Sequence, residues 1–255
     1  MPACQMFYFS SHLWSCVNFS GLPHMQKLSL SEYRNLIHQA TPLACELVEG
    51  QLSHKVLQLP DQSIVKLFRL KRLLTSARIF PHTKRFQRNV RRIQSFSIPT
   101  VKITALYRIP AIKRTAVHYR ILTGITIRDH CELTEMDSQL AERFGIFFSS
   151  LHQKGIYFRS IHFGNMVLTP DDRIGLIDVV DMRFRRGPLR TGLRIRNLRH
   201  LFRYDIDIAC IAPVRRIFLD AYCKSGGLGP GEEKRLRHHF ESYFQNRAVP
   251  RSTSA

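Results

Sequence analysis

Three side chains stand at separations suited to handling nucleotide phosphates. Asn165 closes the octapeptide FRSIHFGN, residues 158 to 165, and Asp178 follows thirteen residues later in IGLIDVV. Phosphoryl transfer needs a divalent cation held beside the phosphates by side-chain oxygens, and a lysine that grips the phosphates from the opposite side. Asn165 and Asp178 are the candidate ligands for Mg2+. Lys66 in SIVKLFR, ninety-nine residues before Asn165, is the candidate lysine. Taken singly, each has an ordinary reading: a turn asparagine, a hydrogen-bonded carboxylate, a solvated strand lysine. Their joint spacing in strand, loop and hairpin contexts is what points to a nucleotide site.

The elements around them have to supply that geometry. Lys66 alternates with Ile64 and Phe68, which aims all three at one face of a strand. ACELVEG, SHKVLQL and SIVKLFR are β-prone runs separated by turn residues at Gly50 and Pro60-Asp61, as in an antiparallel meander. LSLSEYRNLIHQA precedes them with helical spacing. KRFQRNVRRIQSF follows as a helix, with Phe86, Val90, Ile93 and Phe96 on one side and basic residues on the other. VKITALYRI and RTAVHYRILTG return to strand character. Beyond Thr123-Gly124 the pattern turns helical: Leu140, Phe144, Phe147, Phe148 and Leu151 line one side of DSQLAERFGIFFSSLHQKG, with Asp137 or Ser138 as N-cap and Gly155 as the stop. NMVLT and IGLIDVV should form a hairpin around Pro170-Asp171-Asp172, and helices should run from about 197 to 243, broken by SGGLGPGE. The expected class is α+β with two lobes: a sheet lobe over 26–122, a helical lobe over 123–250, and a poorly ordered extension over 1–25.

With 255 residues, 44% of them hydrophobic, the chain can bury a substantial core. Its formal charge of +20 suits an anionic partner. Six scattered cysteines without a C-x-x-C pair lead to the expectation of a reduced, cytoplasmic protein. No apolar run reaches the ~18 to 20 residues of a membrane span. The apolar first residues lack a basic start, the first Lys being Lys27, so they do not read as a secretory signal.

HFGN and the following LID resemble the H-x-G-N and I-D elements of small-molecule and lipopolysaccharide kinases. The run GIYFRSIHFGNMVLTPDDRIGLIDVVDMRF as a whole resembles the bacterial lipopolysaccharide-kinase-like (toluene-tolerance-type) family. That resemblance implies a two-lobed protein-kinase-like fold, with ATP and Mg2+ between the lobes. The implied acceptor is a sugar hydroxyl of the lipopolysaccharide core, reached at the inner face of the cytoplasmic membrane. Lys66, Asn165 and Asp178 would then bind the cofactors.

Three positions depart from the family pattern. Ser160 stands five residues before Asn165, where the pattern has an Asp that orients the acceptor and takes its proton, and a hydroxyl is a poor base at neutral pH. His162 and Asp181 are the candidates to replace it. No Glu occurs between 50 and 131 to pair with Lys66, leaving Asn89 or Gln87 to hydrogen-bond it, and VEGQLSHKV offers a single glycine, Gly50, to cover phosphates. An impaired pseudokinase that binds nucleotide, glycolipid or a partner enzyme is therefore the second reading. Sixteen Lys or Arg and no acid fall between Lys66 and Arg128, and eight Arg and no acid between Arg183 and Arg203. An anionic glycolipid would satisfy them. Nucleic acid ranks behind it, because RIRNLRHLFRY interleaves Arg with aromatics but matches no recognised RNA-binding pattern.

Overall fold

The computed structural model describes residues 23–48, 51–69 and 82–248. It contains a mixed sheet built by the first half of the described chain and a mainly helical part built by the second. Strand β1 (Met25–Lys27) leads into helix α1 (Leu30–Gln39), whose start is fixed by a capping box between Ser29 and Glu32. Strands β2 (Thr41–Val48), β3 (Gln51–Gln58) and β4 (Ile64–Arg69) follow. Helix α2 (His82–Gln94) comes next, then β5 (Lys102–Ile109) and β6 (Arg114–Arg120). The sheet order is β1-β5-β6-β4-β3-β2, antiparallel except that β1 lies parallel to β5.

The pleat of β4 separates two hydrophobic layers. Val65 and Leu67 pack with Tyr33, Leu57, Ile109 and Ala116 under α1. Phe68, on the opposite face, meets Phe86 of α2, which stacks on Tyr119 of β6. Lys66 shares the face of Phe68, as its alternation requires.

The helical part begins with β7 (Ile125–Thr126), α3 (Ile127–Leu133) and the long α4 (Ser138–Gln153), capped by the Asp137 carboxylate on the Leu140 N–H at 2.7 Å. Strands β8 (Ile156–Phe158), β9 (Met166–Leu168), β10 (Ile174–Leu176) and β11 (Met182–Phe184) come next. Helices α5 (Thr191–Leu201), α6 (Asp205–Ile211), α7 (Arg215–Ser225) and α8 (Pro230–Ala248) complete it. Phe144 and Phe148 of α4 meet Phe218 of α7 across a buried aromatic core. Gly145 lets the two helices approach this closely, since a Cβ there would collide with the Phe218 carbonyl. No helix among the described residues is long and apolar enough to cross a membrane.

Several expectations need correction. Met25 is the first residue of a sheet strand, so the supposed extension over 1–25 runs too far; residues 1–22 lie outside the described ones, as does Gly50. Helix α5 begins at Thr191, earlier than the expected 197. Cys131 of α3 and Cys210 of α6 form a disulfide between Cα atoms 5.9 Å apart, while Cys45 and Cys223 are free. Cysteine scatter gave no warning of this pairing, because connectivity depends on which helix turns face each other. The scatter therefore gives no argument for a reducing compartment.

Candidate functional site

Hairpin β9–β10 carries two of the three expected residues. Asn165 ends the turn that precedes β9, and its carbonyl accepts the Ile177 N–H at 3.0 Å, which places Asp178 beside it. Asp178 itself adopts a left-handed backbone, φ 52°, a conformation that costs a non-glycine residue energy and persists where the surroundings enforce it. Those surroundings come from the sheet lobe. Thr100 donates its hydroxyl to the Leu176 carbonyl at 2.6 Å, and the Leu176 N–H donates to Pro99 at 2.9 Å.

Lys66 reaches across from β4 and its Nζ meets Asp178 Oδ1 at 2.5 Å, a contact between residues 112 apart in sequence. The lysine side chain is 12% exposed and the aspartate 35%, so the pair opens to solvent on the aspartate side. Tyr119 lies close enough to feel Asp178: burial first, then that carboxylate, holds its phenol well above the ordinary value.

Asn89 and Gln87 direct their side-chain hydrogen bonds elsewhere than Lys66. Gln87 donates to the Pro23 carbonyl at 3.4 Å. Asn89, fully buried, directs its Nδ2 at the carbonyls of Val179, Val180 and Met182, at 2.7, 3.3 and 3.3 Å. The helix that was expected to support the lysine instead grips the backbone just after Asp178.

Ser160 lies next to Asn165, whose Nδ2 donates to the Ser160 carbonyl at 2.8 Å. The Ser160 hydroxyl donates to Asp181 Oδ2 at 2.9 Å. Ser160, Asn165 and Asp181 thus form one hydrogen-bonded chain. His162 belongs to a different cluster. Its Nδ1 lies 3.4 Å from the Arg128 guanidinium and its ring stands edge-on to Tyr204 at 5.1 Å. Burial first, then the Arg128 charge, lowers its pKa and favours the neutral ring.

No family model matches the sequence, and no curated protein is significantly similar to it.

Arg128 and Asp207 were missed from sequence. Asp207 is completely buried and accepts Arg128 Nε and Nη2 at 2.9 and 3.0 Å, and the Phe163 N–H at 3.2 Å. A buried carboxylate with three donors fixes the loop that carries Ser160 and Asn165. Its segment, DIDIAC, offers two aspartates at one helix start, and nothing local separates the buried one from Asp205.

The donor set suits a hard cation completed by other oxygens. Asn165 turns its NH2 to a carbonyl, which leaves Oδ1 as its free acceptor, and Asp178 has a second carboxylate oxygen beyond the Lys66 contact. Among the described residues no three His, Cys, Asp or Glu converge, so a protein-only cage is not what these groups build. Mg2+ commonly takes one or two protein oxygens and fills its octahedron with phosphates and water.

Proposed function

We propose that the chain is a protein-kinase-like phosphotransferase, moving a phosphoryl group from ATP to a hydroxyl of an anionic glycolipid of the lipopolysaccharide-core type. The observation that supports this most directly is the 2.5 Å contact between Lys66 and Asp178 with Asn165 alongside. Two residues chosen for their spacing, Lys66 and Asp178, meet between sheet and helices, and the third, Asn165, holds the backbone of Ile177 next to Asp178. The β3-β4-β6-β5 order, with α2 inserted between β4 and β5, also suits the small lobe of such a fold.

In this reading bound Mg-ATP supplies the phosphoryl group and the charge neutralisation that lets it transfer. Lys66 holds phosphate oxygens from the sheet side, and Asn165 and Asp178 provide the cation's protein oxygens. Ser160 accepts the proton of the acceptor hydroxyl while passing its own to Asp181, along the hydrogen bond already present. A hydroxyl relaying to a carboxylate meets the objection that serine is a poor base. Arg128 and Asp207 keep the loop in register.

Thermal denaturation with ATP, with and without Mg2+, tests the reading first. Ligand at about a hundredfold over its Kd should stabilise by ~2.7 kcal/mol, and Lys66→Met or Asp178→Asn should remove the shift. Absence of stabilisation in both conditions would sink it. A second reading, nucleotide binding without turnover, is favoured by Ser160 at the base position. It would be upheld if the shift occurs but no labelled phosphate reaches purified core lipopolysaccharide.

A further inference from the structure

Helices α3 and α6 are joined twice, at equivalent places. Arg128 and Cys131 stand three residues apart on α3, and Asp207 and Cys210 three apart on α6, so each pair shares a helix face. Arg128 donates to Asp207 at 2.9 and 3.0 Å, and one turn further along both helices Cys131 is bonded to Cys210. Arg128 also lies over the ring of Tyr204, just ahead of α6, at 4.8 Å. Each helix has seven residues and buries little: Ile127 on α3, Asp207 and Ile211 on α6. Helices so short are unstable by themselves and keep their form through tertiary ties. The ion pair leads on to the HFGN loop, where Asp207 accepts the Phe163 N–H at 3.2 Å. The disulfide therefore reaches that loop through two links. Its sulfurs are also accessible. Cys131 and Cys210 are partly buried and line a cleft of about 270 Å³ with Arg128 and Asp207, beside the exposed Glu132 and Glu135.

We propose that the Cys131–Cys210 bond is a redox switch for the HFGN loop, opened by a dithiol and closed by a disulfide oxidant. One thiolate of the dithiol attacks a cysteine sulfur, which forms a mixed disulfide and releases the other cysteine as a thiolate; the second thiolate of the dithiol then displaces the first cysteine. Two electrons and two protons pass to the protein, which gains two thiols, and the dithiol leaves as an intramolecular disulfide. The reverse exchange closes the bond. Without it, α6 is held to α3 by the Arg128–Asp207 pair and the Tyr204 contact, and the Asp207 side chain has no exposure of its own. Local opening of α6 lets water reach that carboxylate, and the Phe163 amide loses its acceptor. That the change is felt by bound nucleotide, through Asn165 in the same loop, rests on the phosphotransferase reading.

Hydrogen exchange of the full chain, oxidised or treated with reduced dithiothreitol, tests the switch, and thiol alkylation counts the cysteines released. Reduction should free two thiols in the folded protein and speed exchange across 158–165 about tenfold or more, while β4 keeps its protection. Cys131→Ser without reductant should reproduce the reduced pattern, with Cys210→Ser as the second variant should the first fail to fold. Cys45→Ser should leave the difference between the two states as it is. The proposal is overturned if no thiols are gained under native conditions, or if 158–165 exchanges equally in both states. Faster exchange everywhere would also overturn it, because the bond would then be a staple of the whole fold. Melting with Mg-ATP separates the two readings. If ATP stabilises neither redox state while the loop still responds, the nucleotide reading falls and the switch stands; if ATP stabilises both alike and the loop is unmoved, the switch falls alone.

Discussion

Ser160 directs its proton at Asp181, so the two should fail unequally when mutated. Asp181→Asn removes the final proton acceptor and should lower kcat by about a hundredfold, the lower end of the general-base range. Ser160→Ala should cost less, because water can bridge to Asp181, and neither change should abolish ATP-dependent stabilisation. Phosphate transfer measured beside thermal shift would separate these effects; equal losses in both readouts would refute a proton-relay role. His152 offers a second test at this scale. It is buried between the Tyr222 hydroxyl at 2.6 Å and Asn197 Oδ1 at 3.2 Å, and burial lowers its pKa from 6.5 to about 3. Between those values the unfolded chain binds the proton and the folded one does not. Its stability contribution is complete above about pH 6.5 and is lost as pH falls toward 3, at up to roughly 1.4 kcal/mol per pH unit. His118, His162 and His200 are shifted in the same direction and steepen the loss. Urea denaturation across this range should show the decline, and His152→Gln should flatten it.

Helix α2 is tied to the segment after Asp178 by a neutral amide, where a Glu would have tied it to Lys66. Asn89→Ala strips the donor shared by three carbonyls and should destabilise by about 1–3 kcal/mol, with a matching fall in nucleotide-induced stabilisation. Denaturation that is unchanged would show that the tie carries no weight. At the end of α4, Gly155 has φ +71°, and a Cβ would lie 2.5 Å from the Gly187 carbonyl oxygen and 2.7 Å from that of Arg185. Gly155→Ala should therefore lower the melting temperature by several degrees, as expected for roughly 1–2 kcal/mol of left-handed strain plus contact. Elements with their own punctuation were legible in sequence. Asp137 and Gly155 bracket α4, alternation marks β4, and Pro170-Asp171-Asp172 marks the hairpin turn. The three-residue strands β1, β8 and β11 were not, since MQK or MRF has too few residues to show a period and owes its conformation to a distant partner. The site followed the same division. Lys66, Asn165 and Asp178 were proposed from spacing, and Lys66 and Asp178 do meet, whereas Asn89 and Asp207 act through carbonyls and amides that no sequence pattern displays.

Over the whole molecule the +20 charge sets how solution conditions act. Self-repulsion among 39 basic residues should be screened by salt, so raising NaCl from ~0.05 to ~0.5 M should raise the melting temperature while weakening binding of anionic vesicles. A melting temperature that falls with salt would show that the ion pairs, such as Arg128–Asp207, outweigh the repulsion. The long reach of the Lys66–Asp178 contact also sets a timetable for synthesis. While the chain is being made, Met25 must wait for Leu106 to complete the sheet edge, and Lys66 must wait for a partner 112 residues later. During that interval a run of cations without acids emerges beside ribosomal RNA. Closure of the pair is thus a late event, possible only once the acid-free run from Lys66 to Arg128 has been followed by carboxylates such as Asp178 that can hold its cations.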